Sequence, residues 1–335
     1  MKKFMSLLLA LLLVMSLGSS AFADNYTDMP TATLTVTYNE TNEGSISPAE
    51  TLAFTIARTS VTDAAEGVTA ENMPIPILGT VSYAEGDAGK DGAMTKSLTI
   101  TLPSYSSVGI YTYTIKQTAG TNAGVEYWSE DIRLVVTVIQ DAATGLIRVA
   151  AVHTEGTGTG QKSDDITNTY SAGSLSVTKT VTGNMGDRDK YFAITVTLTG
   201  EQGKTYASSY TVSGGSKLVN GPDDSNSPTI SIGTPATFYL KHGETFTIEN
   251  LPYGVTYTVA EADYTAEGYE DAEINFPDQN KKIDTASETV TIINNKEAAV
   301  DTGIVLDSLP YVLLLVLSIG GAVLFLLKRR SSRES

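Results

Sequence analysis

The sequence predicts an all-β protein: two Ig-like β-sandwiches in tandem, preceded by a secretion signal and followed by a membrane-length apolar segment. Three observations carry this expectation. Short stretches alternate apolar and polar residues and are rich in Val, Thr and Tyr, as strands with one buried face are. Clusters of turn residues separate them at short intervals. A pattern of first, penultimate and last strand in the first half returns in the second, so one plan is used twice.

The elements follow in order. Lys2 and Lys3 precede an apolar run over 7–17 and then Ala21-Phe22-Ala23. This is the charged, apolar and small-residue series of a cleaved leader, residues 1–23, with the cut between Ala23 and Asp24. The first sandwich is expected over 24–171, with strands at 34–38, 52–56, 97–102, 110–115, 134–139, 146–150 and 166–170. Polar turns lie at 42–44, 86–89 and 141–145, and a Gly/Thr/Ser loop at 156–163. Residues 171–174, Ser-Ala-Gly-Ser, read as a linker. The second sandwich is expected over 172–297, with strands at 175–179, 192–198, 246–248, 257–260 and 290–293. Residues 298–335 close the chain. Their apolar stretch, 309–327, is long enough to span a bilayer, and the basic tail Lys328, Arg329, Arg330 and Arg333 stays on the cytoplasmic side.

Composition narrows the function. The chain has 38 acidic against 22 basic residues, a net charge of −16. Without the leader and everything after Thr302, 36 acidic and 16 basic residues remain, a net charge of −20. That excludes nucleic acid as a partner, because phosphate binding needs clustered Lys and Arg. There is no cysteine, so disulfides, thiolate metal sites and Cys nucleophiles are absent. The two histidines, His153 and His242, lie far apart in sequence, and no cofactor or metal is expected. Carboxylates are plentiful, but nothing marks a catalytic pair, so a secreted glycosidase is disfavoured.

Strand phase singles out one constellation. Side chains alternate faces with period two. Lys179 shares the phase of Leu175, Val177 and Val181; Glu261 that of Val255, Tyr257 and Val259; Asn294 that of Val290 and Ile292. Three polar groups therefore face one core from strands far apart in sequence. Burial lowers a lysine pKa and raises a glutamate pKa. A neutral amine is a nucleophile, and a protonated Glu can polarise an Asn carboxamide. Attack on that carbon releases ammonia and leaves a Lys–Asn isopeptide bond. A structural ion pair, or an edge lysine with its head in solvent, fits the same phase.

The residues around this constellation resemble a known family. The stretch 175–183, then 186–192 and 195–198, is similar to the start of a collagen-adhesin B-type (CnaB) pilin domain. So are 250–261 and the closing 291–296. From about residue 31 onward the chain resembles the two-domain, sortase-assembled major pilins of Gram-positive bacteria, of the streptococcal FctA kind. The resemblance implies a Lys179–Asn294 crosslink assisted by Glu261, with Asn295 as an outward-facing competitor. In the first domain it places Tyr38 where the bond-forming Lys belongs, Gln117 where the acid belongs, and Asn168 as the retained Asn. No bond is expected there. A Tyr38–Gln117–Asn168 hydrogen-bond cluster is expected instead, with Lys90, Lys96 and Lys116 as remote alternatives of which Lys116 is out of phase.

The resemblance extends to polymerisation. Residues 300–304, Val-Asp-Thr-Gly-Ile, resemble a sortase sorting signal with Asp301 in place of the usual Pro. It implies cleavage between Thr302 and Gly303, and transfer of Thr302 to an amine. Related pilins carry that amine just before the first domain's last strand, where this chain has Lys162. The implied function is a structural subunit of a cell-surface pilus, an enzyme only in the sense of one self-crosslinking turnover. Its partners would be a sortase, further copies of itself and an ancillary or tip pilin, with membrane contact only before sorting. The other function considered is a wall-anchored adhesin or ancillary pilin that binds a host ligand and needs no linking lysine. Trp128 reads as packing.

Overall fold

The computed structural model describes residues 28–89, 94–156, 165–215, 228–298 and 309–331. The all-β expectation holds. Alternating stretches become strands because each can bury one face and leave the Thr-rich face in water.

The first sandwich has two five-stranded sheets. One is ordered β3 (Ile77–Leu78), β5 (Thr95–Thr101), β1 (Thr31–Glu40), β10 (Asp165–Tyr170), β7 (Val125–Glu126). The other is ordered β4 (Val81–Tyr83), β2 (Glu50–Thr62), β6 (Gly109–Thr118), β8 (Ile132–Gln140), β9 (Ile147–Gly156). Leu34, Val36, Leu98, Ile100, Tyr113, Leu134 and Ile166 fill the space between them. Trp128 is partly buried against this core and donates its ring N–H to the Glu130 carbonyl at 2.7 Å.

The second sandwich repeats the plan. Its larger sheet is ordered β14 (Thr229–Ile230), β13 (Tyr210–Gly214), β16 (Thr245–Pro252), β11 (Ala172–Thr182), β19 (Ser287–Asn295), β18 (Glu273–Asn275). Facing it is β15 (Ala236–Leu240), β12 (Phe192–Thr199), β17 (Thr256–Glu261). In each domain the first and last strands are parallel neighbours, β1 with β10 and β11 with β19. This pairing brings residues more than a hundred positions apart side by side.

The boundary between the domains differs from the expected linker. β11 starts at Ala172, so Ser171 alone separates it from β10. Gly and Ser read as loop on composition, but here Ala172 and Gly173 are buried. A Cβ on Gly173 would sit 2.1 Å from the Thr285 carbonyl, so no other residue fits that approach. Side chains then clamp the junction. Asn42 donates to the Ala172 carbonyl at 2.6 Å and to the Tyr253 hydroxyl at 2.8 Å. Asn250, held in the left-handed region at φ 58°, accepts from Ile46 N–H at 2.8 Å and donates to its carbonyl at 2.9 Å. Backbone bonds join Ala123 to Thr205 and Thr205 to Thr121.

Helix α1 (Leu309–Ser331) contains a segment, Pro310–Lys328, long and apolar enough to cross a membrane, and none of it is buried against the sandwiches.

Candidate functional site

Lys179, Asn294 and Glu261 meet in the second domain. Lys179 and Asn294 come from the parallel neighbours β11 and β19. Glu261 ends β17 in the facing sheet, so the acid reaches across the core. Register sets the approach: Lys179 pairs with Ile292 and Val181 with Asn294, so Lys179 reaches one inward position along β19 to find the carboxamide. Its Nζ donates to Asn294 Oδ1 in close contact. The same Nζ lies 3.2 Å from Glu261 Oε1.

The three side chains are sealed from water. Lys179 is 0% and Asn294 1% exposed, and the Glu261 side chain is 1% exposed. The Phe192 ring lies below the amine, its centroid 4.4 Å from Nζ. Tyr264 and Tyr269 pack edge-on against that ring. Both Glu261 oxygens are buried without an aligned hydrogen bond, although the Lys179 amine and the Asn294 carboxamide face them.

Burial dominates the electrostatics. It pushes the Lys179 pKa below the ordinary lysine value, and the Glu261 charge opposes this only in part. It pushes the Glu261 pKa above the ordinary carboxylate value, against the opposing pull of Lys179. Both shifts favour the neutral forms, amine and carboxylic acid, at the expense of the ion pair. The competing amide is elsewhere: Asn295 Oδ1 accepts from the Thr182 hydroxyl at 2.9 Å on the other face of the strand.

The first domain places its polar cluster differently from the sequence reading. Gln117 and Asn168 exchange two amide hydrogen bonds, at 2.6 and 3.2 Å, and Trp128 N–H donates to Asn168 Oδ1 at 3.1 Å. Tyr38 is not part of that cluster. Its hydroxyl points instead to the Pro48 carbonyl at 3.5 Å, and its ring packs against Tyr83 with centroids 5.2 Å apart. Register explains the error. Asn168 pairs with Tyr38 as Asn294 pairs with Val181, so the residue matching Lys179 is Val36, opposite Ile166. Tyr38 and Val36 share one phase, and alternation cannot tell them apart. Lys116 is exposed and bridges Asp131 at 2.8 Å, while Lys96 pairs with Asp87 at 3.4 Å. Lys90, Lys162, Asp301, Thr302, Gly303, Ala23 and Asp24 lie outside the described residues.

Two buried acids escaped the sequence reading. Glu288 is 5% and Glu50 8% exposed. Glu288 accepts from the Tyr257 hydroxyl at 2.6 Å. Glu50 accepts from Tyr127 at 2.6 Å and Asn122 at 2.9 Å. Glu288 has the inward phase of Val290 and Ile292, which was the available signal. Among the described residues, no group of three or more His, Cys, Asp or Glu is placed to hold a metal.

Comparison with known proteins agrees with this architecture. Residues 34–171 match the family model FctA, the Spy0128-like isopeptide containing domain. Residues 173–296 match a domain of unknown function, DUF7601. A curated pilin from Streptococcus pyogenes serotype M1 is 26% identical over 265 residues, 75% of this chain and 76% of that protein. The pilus tip adhesin Cpa of Streptococcus pyogenes is 31% identical over 140 residues, which is 40% of this chain and 18% of the adhesin. The crystal structure of the major pilin from Streptococcus pyogenes superposes with a TM-score of 0.54 at 24% identity, covering 81% of this chain and all of that one. That likeness establishes the fold. The class so defined is a tandem β-sandwich protein with a buried Lys–Glu–Asn cluster in one domain. Within it, residues 34–171 match the FctA-type pilin domain, and the chain is similar over three quarters of its length to a streptococcal pilin.

Proposed function

We infer that the chain is the structural backbone subunit of a sortase-assembled pilus, hardened by one self-formed isopeptide bond. The observation that carries the crosslink is the buried contact of Lys179 with Asn294 beside an acid whose pKa burial pushes up. The neutral Lys179 amine attacks the Asn294 carboxamide carbon. Glu261 donates a hydrogen bond to the carboxamide oxygen and relays a proton from the attacking nitrogen to the departing one. Ammonia leaves, one C–N bond has replaced another, and Glu261 is regenerated. A cleft lined by Ala260, Ala262, Tyr264, Ala272 and Ile274 runs to Glu261 and Asn294 and gives the ammonia a way out. The bond ties β11 to β19 across 115 positions. By analogy with disulfides, such a loop contributes about 4–5 kcal/mol.

Polymerisation rests on sequence position and family. A sortase would cleave after Thr302 and join it to Lys162 of the next subunit. Such head-to-tail contacts are heterologous and build open fibres. Substituting Lys162→Ala in cells carrying the cognate sortase should abolish the high-mass ladder on denaturing gels while leaving monomer. Persistence of the ladder would remove Lys162. Monomer attached to the wall in wild-type cells, with no ladder at all, would favour the adhesin reading, for which the partial match to a tip adhesin is the one specific observation.

A further inference from the structure

We propose that tension along the fibre bypasses the first sandwich, so that this domain rides beside the strained chain and never unfolds under load. The inference rests on the load entering between β9 and β10 and leaving after β19, as in the reading above. It does not depend on the crosslink.

The topology supplies the argument. A load applied just before Asp165 meets β10, then Ser171, then β11, and these residues form one almost unbroken extended run from Asp165 to Thr182. Extended strands advance about 3.3 Å per residue, close to the limit of a taut chain, so pulling on both ends of β10 yields almost no length. The strands β1 to β9 all precede the entry point. They are joined to β10 sideways, by the β1 and β7 ladders, and carry no end-to-end tension. In the second domain the path continues to Lys179, crosses to Asn294 and leaves at Asn295, where β19 ends. The loop between those two side chains is also shunted.

This accounts for an asymmetry. The domain on the path keeps Lys179, Glu261 and Asn294. The domain beside it has Val36 and Gln117 in the matching places, and a bond from β1 to β10 would add nothing to tensile continuity. Ser171 is the single non-strand residue between Asp165 and Thr182. The Asn42 and Asn250 contacts around it hold the angle between domains but are not in series with the load.

The absence of cysteine allows a direct test by single-molecule pulling through engineered thiols. The protein is the chain from residue 24 to 302, which retains both sandwiches; α1 is buried against neither. Handles at Lys162→Cys and Thr302→Cys should give no unfolding event at forces where handles at Asn25→Cys and Thr302→Cys give one. That one event should release roughly 50 nm, the length of about 140 residues at about 3.6 Å each. Adding Glu261→Ala to the 162/302 pair should introduce one event, from the second domain, and not two. A first-domain release with the 162/302 pair, in either background, overturns the proposal. A second-domain release in the wild-type background instead removes the crosslink and leaves the bypass standing.

Discussion

Replacing Val36 with lysine and Gln117 with glutamate should give the first domain a crosslink of its own. Val36 is fully buried opposite Ile166, with Asn168 one inward position further along β10. Gln117 already contacts the Asn168 carboxamide at 2.6 Å, so a glutamate there stands where Glu261 stands in the second domain. Val36→Lys alone buries an amine without an acid and should cost about 3–5 kcal/mol. At a few degrees per kcal/mol, this lowers the first-domain melting temperature by roughly 10–20 °C. In the double variant the amine is consumed. Closing a loop of roughly 130 residues contributes about 5 kcal/mol and returns stability close to wild type. Intact mass reads the bond as loss of a second ammonia, and a thermal melt reads the recovery. If Tyr38→Lys with Gln117→Glu loses the second ammonia and Val36→Lys with Gln117→Glu does not, the register argument is wrong.

Further expectations concern the buried groups and the junction. In Lys179→Met, Glu261 loses its partner and keeps a raised pKa. Folding favours its neutral form, so its contribution to the variant's stability should be fullest below the ordinary Glu value and should be lost as pH rises from there toward the raised one. The slope is at most about 1.4 kcal/mol per pH unit, measurable by urea unfolding at several pH values. Tyr257→Phe removes the hydroxyl that Glu288 accepts from at 2.6 Å and should destabilise the second domain by about 2–3 kcal/mol in denaturant titration. Tyr253→Phe, removing only one of two Asn42 contacts, should cost under about 1 kcal/mol in the same assay. Asn250→Ala loses both bonds to Ile46 and leaves a non-Gly residue at φ 58°, so amide exchange at Ile46 should quicken at least tenfold, with the cores unaffected.

The strands and the inward set at Lys179, Glu261 and Asn294 were legible because both follow from period-two alternation in long, regular strands. What stayed hidden depends on how strands are placed against one another. Alternation repeats every two residues, so Tyr38 and Val36 are equivalent until β1 is set in register with β10. The two-residue strands β3, β7 and β14 carry too little pattern to be read. At 171–174 the composition of a linker conceals a strand start, because tertiary packing of Ala172 and Gly173 overrides local preference. Glu50 and Glu288 are acids at core positions, reached by hydrogen-bond donors far away in sequence, Tyr127 and Asn122 for the first and Tyr257 for the second.

The intact mass of the protein from residue 24 to 299, produced without any sortase, tests the central claim most directly. The account predicts a deficit of one ammonia, abolished by Lys179→Ala and by Glu261→Ala and mapped by fragmentation to Lys179 and Asn294. A mass equal to that of the unmodified sequence would contradict it, as would a deficit that survives Glu261→Ala.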